Sequence, residues 1–106
     1  MAVGEAPVLE ALADITAVSV ARSELDAQPL LLVRLAALIA VDAPAASYLL
    51  HVGPAAEVGV TLELVQDVLV AAAPIVGTAR TLSAAAKIVE ALGLAIELAI
   101  DAAEGE

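Results

Sequence analysis

The sequence predicts an all-α fold of five to six helices, in a single domain that spans residues 1–106. Apolar residues recur at intervals of three and four along most of the chain, which is typical of helices that bury one face. Prolines, glycines and capping residues divide this pattern into segments of helix length. No segment of about four to eight residues alternates apolar and polar side chains between turn signals, so no strand is predicted.

Residues 1–6 are expected to be loose, and the first helix is expected to begin at Pro7 and to fade near Arg22. Asp26 lies in a polar linker and is placed to cap a second helix, which runs to about Val41. Apolar side chains cover every face of this second helix, a pattern that favours a buried helix. The first helix has a narrower apolar stripe, formed by Leu9, Leu12, Ile15 and Val18.

The Asp42–Pro44 segment predicts a break, because the residue before a proline is pushed out of the α region. The carboxylate of Asp42 is expected to cap a third helix that begins at Pro44. The Gly53–Pro54 pair should kink or interrupt this helix, because a proline removes one backbone hydrogen bond. Gly59 is suited to end it in a left-handed conformation.

Thr61 is predicted to cap a fourth helix, which Pro74 and Gly77 interrupt. A fifth helix over residues 78–92 is expected to stop at Gly93. A last short helix should follow before the acidic C-terminal tail.

The composition predicts a protein that covers its apolar faces by self-association. The chain is 62% hydrophobic, and a domain of this size buries only about 60–70% of the surface of its unfolded chain. Charged residues interrupt every apolar stretch that could span a bilayer, and the N-terminus lacks the basic region of a signal peptide. We therefore expect a cytoplasmic homo-oligomer without membrane contact.

Charge and residue usage exclude several classes of function. Four basic and fourteen acidic residues give a formal net charge of −10, which disfavours nucleic acid as a partner. The absence of cysteine excludes disulfides, thiolate metal sites and thiol redox chemistry. With a single histidine as well, no metal site and no cofactor are predicted.

Five sequence features occur in a recognisable order. They are the LVRLA run at Leu32–Ala36, the Asp42–Pro44 break, His51, Gly59-Val60-Thr61 and the glycine turn at Gly77. In this order the chain resembles the carboxymuconolactone decarboxylase-like family, which includes the alkylhydroperoxidase D type proteins, most strongly over residues 25–92. The resemblance implies an alkylhydroperoxidase D-like helical bundle that assembles as homo-trimers or homo-hexamers.

The chain departs from the peroxidatic branch of that family at its reactive residues. The two cysteines of that branch would fall at Pro44 and Ser47, and its glutamate has no counterpart in the helix over Leu30–Val41. Of the family's proton-relay residues only His51 remains. The resemblance therefore implies a lyase-like enzyme, if the chain is an enzyme, and argues against a thiol peroxidase.

His51 and its helix neighbours are the candidate reactive groups. His51 could act as a general acid or base on a small carbonyl compound or lactone, or it could bond a backbone carbonyl in a crowded helix break. Ser47 and Tyr48 precede it by four and three residues, so the three side chains can share one face. Ser47 is then either a nucleophile paired with His51 or part of a buried polar patch.

Two arginines complete the candidate pocket. Arg34 lies in the apolar second helix, where a buried guanidinium requires a partner. It could bind a substrate carboxylate beside His51, or pair with Asp67 or another acid across helices or subunits. Arg80, after Gly77, allows the same two interpretations.

Two hypotheses about function follow. In the first, the protein binds a small organic acid or lactone and transfers a proton on it with the help of His51. In the second, it is a non-catalytic assembly protein that retains the fold for its interfaces. A carboxylate partner for His51 would favour the first hypothesis, and the sequence does not identify one.

Overall fold

The structure is a computed structural model that describes residues 5–105, and this range contains five α-helices and no strand. The helices are α1 (Glu5–Arg22), α2 (Ala27–Ala40), α3 (Ala45–Glu57), α4 (Leu62–Val76) and α5 (Thr78–Glu104). The predicted all-α fold is confirmed. Residues 1–4, which were expected to be loose, lie outside the described range, whereas Glu5 is already helical. No helix in that range is both long enough and apolar enough to cross a membrane.

Helices α2 to α5 pack together as a four-helix body. Within it, α3 packs against α5, α2 packs against α4, and both pairs contact each other. Small alanines on α5 let the helices approach closely around the fully buried Ile39. The core residues are Ile39, Ala43, Tyr48, Ala84, Ile88 and Ala91.

The burial predicted for every face of α2 is wrong for the single chain. Ile39 is the only residue of α2 that is fully buried, and Val33 on another face remains 55% exposed. The reason is that α3, α4 and α5 cover only one side of α2.

Helix α1 stands apart from the four-helix body. Among the described residues, no Cα atom of α1 lies within 8 Å of a Cα atom of another helix, and only side chains such as that of Arg34 reach it. The apolar stripe predicted on this helix is more than half exposed at Leu9, Leu12, Ile15 and Val18. The helix itself is thus confirmed, but much of its apolar face remains exposed within the described residues.

The dimensions of the chain reflect this projecting helix. The radius of gyration is 15.0 Å, whereas a compact domain of this length has about 13 Å. The accessible surface is 7242 Å², which is about 1,800 Å² more than the roughly 5,400 Å² expected for a compact protein of 10.5 kDa. The chain therefore exposes far more surface than a compact monomer.

The predicted break between α2 and α3 is confirmed, and its geometry is a Schellman motif. Asp42 adopts a left-handed φ of 54° after the C-cap residue Val41. The N–H of Ala43 donates to the Leu38 carbonyl at 3.0 Å, and the N–H of Asp42 donates to the Ile39 carbonyl at 3.2 Å. These two bonds satisfy carbonyls that the end of α2 would otherwise leave free.

The capping role predicted for Asp42 is wrong. Helix α3 has Pro44 as its N-cap and receives no side-chain cap. The Asp42 carboxylate instead accepts hydrogen bonds from Ser83 Oγ at 2.8 Å and from Lys87 Nζ at 2.9 Å. The left-handed turn directs Asp42 to α5 and so joins the end of α2 to that helix.

The contact of Asp42 with Lys87 and Ser83 predicts that a variant without the Asp42 charge is less stable than the wild-type protein, by an amount that depends on pH. The hydrogen bonds from Lys87 and then Ser83 hold the pKa of Asp42 below its ordinary value of 3.8. A carboxyl whose pKa is lowered by folding stabilises the protein fully above its ordinary pKa, and loses that effect as the pH falls through the lowered value. Asp42→Asn should therefore lower the thermal midpoint at pH 6, and the difference should vanish at a pH well below 3.8.

Asparagine tolerates the left-handed conformation, so the substitution tests the charge and not the turn. Thermal unfolding of both proteins across this pH range is the measurement, with Asp67→Asn on the exposed face of α4 as the control. Added salt should shrink the difference, because the ion pair is partly exposed. A difference of the same size at both pH values would contradict the prediction.

Two glycines end helices as predicted. Gly59 follows α3 with a φ of 78°, and Gly77 separates α4 from α5 with a φ of 91°. Gln28 at the start of α2 donates its amide N–H to the carbonyls of Val58 and Gly59, at 3.0 and 3.3 Å. This side chain fixes the end of α3 against the beginning of α2.

No interruption occurs at Pro54, Pro74 or Gly93, so the breaks predicted at Pro74 and Gly93 are wrong, and at Pro54 the helix is not interrupted. Pro54 lies inside α3, Pro74 lies inside α4, and α5 continues through Gly93. The carbonyls that the two prolines leave free belong to Leu50 and Val70, two highly exposed residues, so water can bond them. The cost of about 1 kcal/mol for Gly93 is outweighed by the strong helix formers on both sides of it.

Candidate functional site

A half-open cavity of about 210 Å³ lies between the helices of the four-helix body, and we call it the inner cavity. Residues from α2 to α5 form its wall, together with the turn before α4. The wall is almost wholly aliphatic, and Tyr48, His51 and Thr61 supply its polar side chains. No lysine, arginine, aspartate or glutamate belongs to this wall.

His51 is held in one orientation by its own helix. Its Nδ1 lies 2.7 Å from the backbone carbonyl of Ser47, one turn earlier in α3. A carbonyl oxygen only accepts hydrogen bonds, so Nδ1 carries the proton and the neutral ring keeps a lone pair on Nε2. The half-buried ring is therefore prepared to accept a proton at Nε2.

The predicted partners of His51 are not in place. The ring bonds the backbone carbonyl of Ser47 and not its hydroxyl, so the interpretation of Ser47 as an activated nucleophile has no support. Within residues 5–105 no carboxylate forms an ion pair with His51. The carboxylate of Asp42 forms an ion pair with Lys87 and not with His51.

Tyr48 contributes a buried hydroxyl to the same region. Its side chain lines the inner cavity and is only 4% exposed. The hydroxyl has no hydrogen-bond partner in the part of the chain that the structure describes. Burial raises the pKa of this phenol above its ordinary value of 10.0, and the negative charge of Asp42 raises it further. Tyr48 is thus a protonated donor at neutral pH.

A second, more open cavity of about 620 Å³ separates α1 from α2 and α3, and we call it the outer cleft. Arg34 and His51 both line it, so the structure brings this predicted pair into one cavity. Arg34 donates from Nη2 to Ser19 Oγ at 3.0 Å and to the Thr16 carbonyl at 3.4 Å, both on α1. Since His51 also lines the inner cavity, it is shared by the two spaces.

The ion pair expected between Arg34 and Asp67 is absent from the described residues. Arg34 is only half-buried, so its charge does not require a carboxylate partner inside the chain. Arg80 donates from Nη1 to the Ala40 carbonyl at 2.6 Å and caps the end of α2. Ser47 and Arg80 were expected to line the pocket, and both lie outside the two linings.

Sequence reasoning missed the aliphatic part of the inner cavity. Val65 of α4 and Ile88 and Leu92 of α5 belong to its wall, although their spacing is that of ordinary core residues. Such a signal cannot distinguish a packed core from a cavity wall. Over the same described range, no three side chains of the types that bind metals lie close together.

Comparison with known proteins gives one match. The sequence pattern of the Carboxymuconolactone decarboxylase family matches residues 6–91, well over half of the chain. This range runs from α1 to the middle of α5 and includes His51, Tyr48 and Arg34. No curated protein and no solved structure matches the chain significantly.

Proposed function

Because the chain belongs to the carboxymuconolactone decarboxylase family, we propose that it binds a small organic acid or lactone and transfers a proton on it through His51. The observation that carries this proposal is the position of His51 in the walls of both cavities, beside Arg34 in the outer cleft. The bond from Nδ1 to the Ser47 carbonyl, which a purely structural role would also give, fixes the tautomer. It leaves Nε2 as the proton acceptor. A base fixed in this way needs no rearrangement before the reaction.

The proposed proton transfer needs only side chains of this protein and the ligand itself. The Nε2 lone pair takes a proton from the carbon next to the ligand carbonyl, and the electron pair of the broken C–H bond moves to the carbonyl oxygen. The resulting imidazolium returns a proton to the same or a neighbouring carbon, so no oxidant or reductant is consumed. Arg34 in the outer cleft keeps N–H groups free for a ligand carboxylate, because its two hydrogen bonds to α1 use Nη2 alone.

His51→Gln is expected to abolish this proton transfer. The rate to be measured is deuterium exchange next to the carbonyl of a β,γ-unsaturated γ-lactone or of levulinate in D₂O, followed by proton NMR. Loss of a general base lowers such rates by roughly 10²–10⁴-fold. The exposed Glu90→Gln substitution in α5 is the matched control and should leave the exchange rate unchanged. Equal exchange rates for the wild-type protein and His51→Gln would overturn the proposed function.

A second candidate function is assembly alone, and the surface of the chain favours it. The excess of about 1,800 Å² over a compact protein exceeds the roughly 800 Å² that each partner contributes to a standard interface. The apolar stripe of α1 and the apolar C-terminal part of α5 are both exposed. We propose that further copies of the chain cover these surfaces in a homo-trimer or homo-hexamer.

Both candidate functions include the proposed oligomer, but only the first includes proton transfer on a ligand. A catalytic protein would lose proton transfer with His51→Gln, whereas a pure assembly protein would show no exchange above the background in either form. The mass of the particle, measured by light scattering, tests the assembly itself. A mass of 10.5 kDa at micromolar concentration would contradict assembly.

A further inference from the structure

We infer that the ligand is an amphipathic monocarboxylate, whose carboxylate binds Arg34 in the outer cleft and whose aliphatic tail passes His51 into the inner cavity. Such a ligand belongs to one of the two classes of the proposed function, on which this inference rests, because it is an acid and not a lactone. The two cavities together set its charge and its length.

The inner cavity and the outer cleft share part of their walls. Leu31 of α2 and His51 of α3 line both spaces. The spaces therefore adjoin at these two side chains, with the α2–α3 pair between them. A flexible chain that passes between Leu31 and His51 occupies both spaces. A ligand confined to one space contacts either Arg34 or the inner cavity, but not both.

The charges of the two walls fit a single carboxylate. Among the described residues, Arg34 is the only lysine or arginine in either wall, and neither wall contains an aspartate or a glutamate. An anion in the outer cleft therefore meets a cation without a competing carboxylate, although the whole chain has a net charge of −10. A second carboxylate, at the far end of the ligand, would lose its hydration in the aliphatic inner cavity and gain no cation.

The register of α2 and α3 places this carboxylate beside the proposed base. The two helices are antiparallel, because a short turn joins them at one end and the Gln28 amide bonds the Val58 carbonyl at the other. The rise per residue is the same in both helices, so six residues further along Arg34 lies level with Val52, the neighbour of His51. A carboxylate on Arg34 thus brings the first carbons of the chain to His51.

The volume of the inner cavity sets the length of the tail. A dry apolar cavity of roughly 150 Å³ in another protein accommodates the six carbon atoms of benzene. By this ratio the inner cavity, at about 210 Å³, accommodates about eight carbon atoms. The carboxyl carbon and its neighbour remain at Arg34 and His51, which gives a chain of about ten carbons.

Titration by NMR with saturated acids from butanoate to dodecanoate tests the tail. Each added methylene group should tighten binding by roughly fourfold, up to about ten carbons, and longer chains should gain nothing further. One molecule should bind per chain. Affinity that keeps rising to dodecanoate, or several molecules per chain, would indicate adsorption to exposed apolar faces such as that of α1 and would overturn the inference.

A comparison at one chain length tests the carboxylate. The wild-type protein should bind octanoate about tenfold more tightly than either octan-1-ol, which has no charge, or octanedioate, which has a second one. Arg34→Gln should bind octan-1-ol as before and lose the preference for octanoate. Arg22→Gln, which removes a cation outside both walls, is the matched control. Octanoate binding that is equal in Arg34→Gln and the wild-type protein would overturn the inference.

Val65→Phe tests the position of the tail. It places a larger side chain in the wall of the inner cavity, whereas the outer cleft does not include this residue. Decanoate should bind about tenfold more weakly to the folded variant, and butanoate should bind as before, because its short chain stays near Arg34. Unchanged decanoate binding would place the tail elsewhere and overturn the inference. The chain-length series decides the same point without a substitution.

Binding of saturated acids and proton exchange are separate measurements, so this inference and the proposed function can fail independently. If levulinate exchanges through His51 but affinity does not depend on chain length, the proposed function stands and the inference fails. If decanoate binding depends on Arg34 and Val65 but the wild-type protein exchanges no protons, the amphipathic site stands and the proposed function fails.

Discussion

Replacing both Leu12 and Ile15 by aspartate is expected to convert the proposed oligomer into monomers of 10.5 kDa. These side chains are 54% and 65% exposed in the single chain and lie on the apolar stripe of α1. Full burial of such a side chain contributes about 1.5–3 kcal/mol, and two carboxylates at a buried interface would also lack partners. Light scattering coupled to size exclusion at micromolar concentration gives the mass directly.

The monomeric variant should keep a folded four-helix body, because α1 makes no close backbone contact with the other helices. The melting transition of α2 to α5 is therefore expected to survive in circular dichroism. Glu10→Gln together with Asp14→Asn is the matched control, since it changes two exposed residues of the same helix and leaves the apolar stripe intact. An unchanged particle mass after the aspartate substitutions would exclude this stripe as the interface.

Ile39→Ala is expected to lower the free energy of unfolding by about 2–5 kcal/mol. Ile39 is fully buried and belongs to a core formed with Tyr48, Ala84 and Ile88. The alanines of α5 cannot fill the space that is left, because they have no longer side chain to move into it. The loss is large beside a total stability of about 5–15 kcal/mol for a typical domain. Thermal unfolding at a fixed protein concentration should show a midpoint lower by roughly 10 °C or more.

Two substitutions in the same helix calibrate this result. Ile39→Val removes one methylene group and should cost about 0.5–1.5 kcal/mol. Val33→Ala changes an exposed side chain of α2 and should change the stability of a single chain by less than about 0.5 kcal/mol. If Ile39→Ala unfolds at the same temperature as Val33→Ala, Ile39 is not the centre of the core.

The helices could be predicted from the sequence wherever local chemistry alone decides the backbone. Thr61 caps α4 as expected, with its Oγ1 accepting the N–H of Leu64 at 3.2 Å. Gly59 ends α3 because it can adopt a positive φ that residues with a side chain avoid. In both cases the interaction lies within a few residues, so the sequence contains all the information that is needed.

Glycine and proline gave wrong predictions of helix ends where neighbouring residues and tertiary packing decide whether the helix continues. Gly93 could have ended a helix as Gly59 does, but the helix formers on both sides of it carry α5 onward. Pro54 and Pro74 were compatible with a continuous helix because the carbonyls that they release belong to exposed residues. Exposure is set by tertiary packing, which a local pattern does not describe.

Only part of the candidate site could be predicted, because some of its contacts are local in the sequence and others are long-range. His51 and Tyr48 could be placed on one face of a helix from their spacing alone. The partners of Arg34 and Arg80 are mostly backbone carbonyls, and every residue has one, so no residue pattern marks these contacts. The long-range contact of Asp42 with Lys87 is likewise not encoded in local spacing.

If the protein assembles as proposed, the position of α1 outside the four-helix body divides its assembly into two kinetic stages. All close helix contacts within the described chain lie among α2 to α5, so this body can form in a unimolecular step. Helices in proteins owe most of their stability to the packing of an apolar face, and that face of α1 is more than half exposed in the single chain. In the proposed oligomer, the apolar stripe of α1 would be covered only after an encounter between chains, at a rate that grows with concentration.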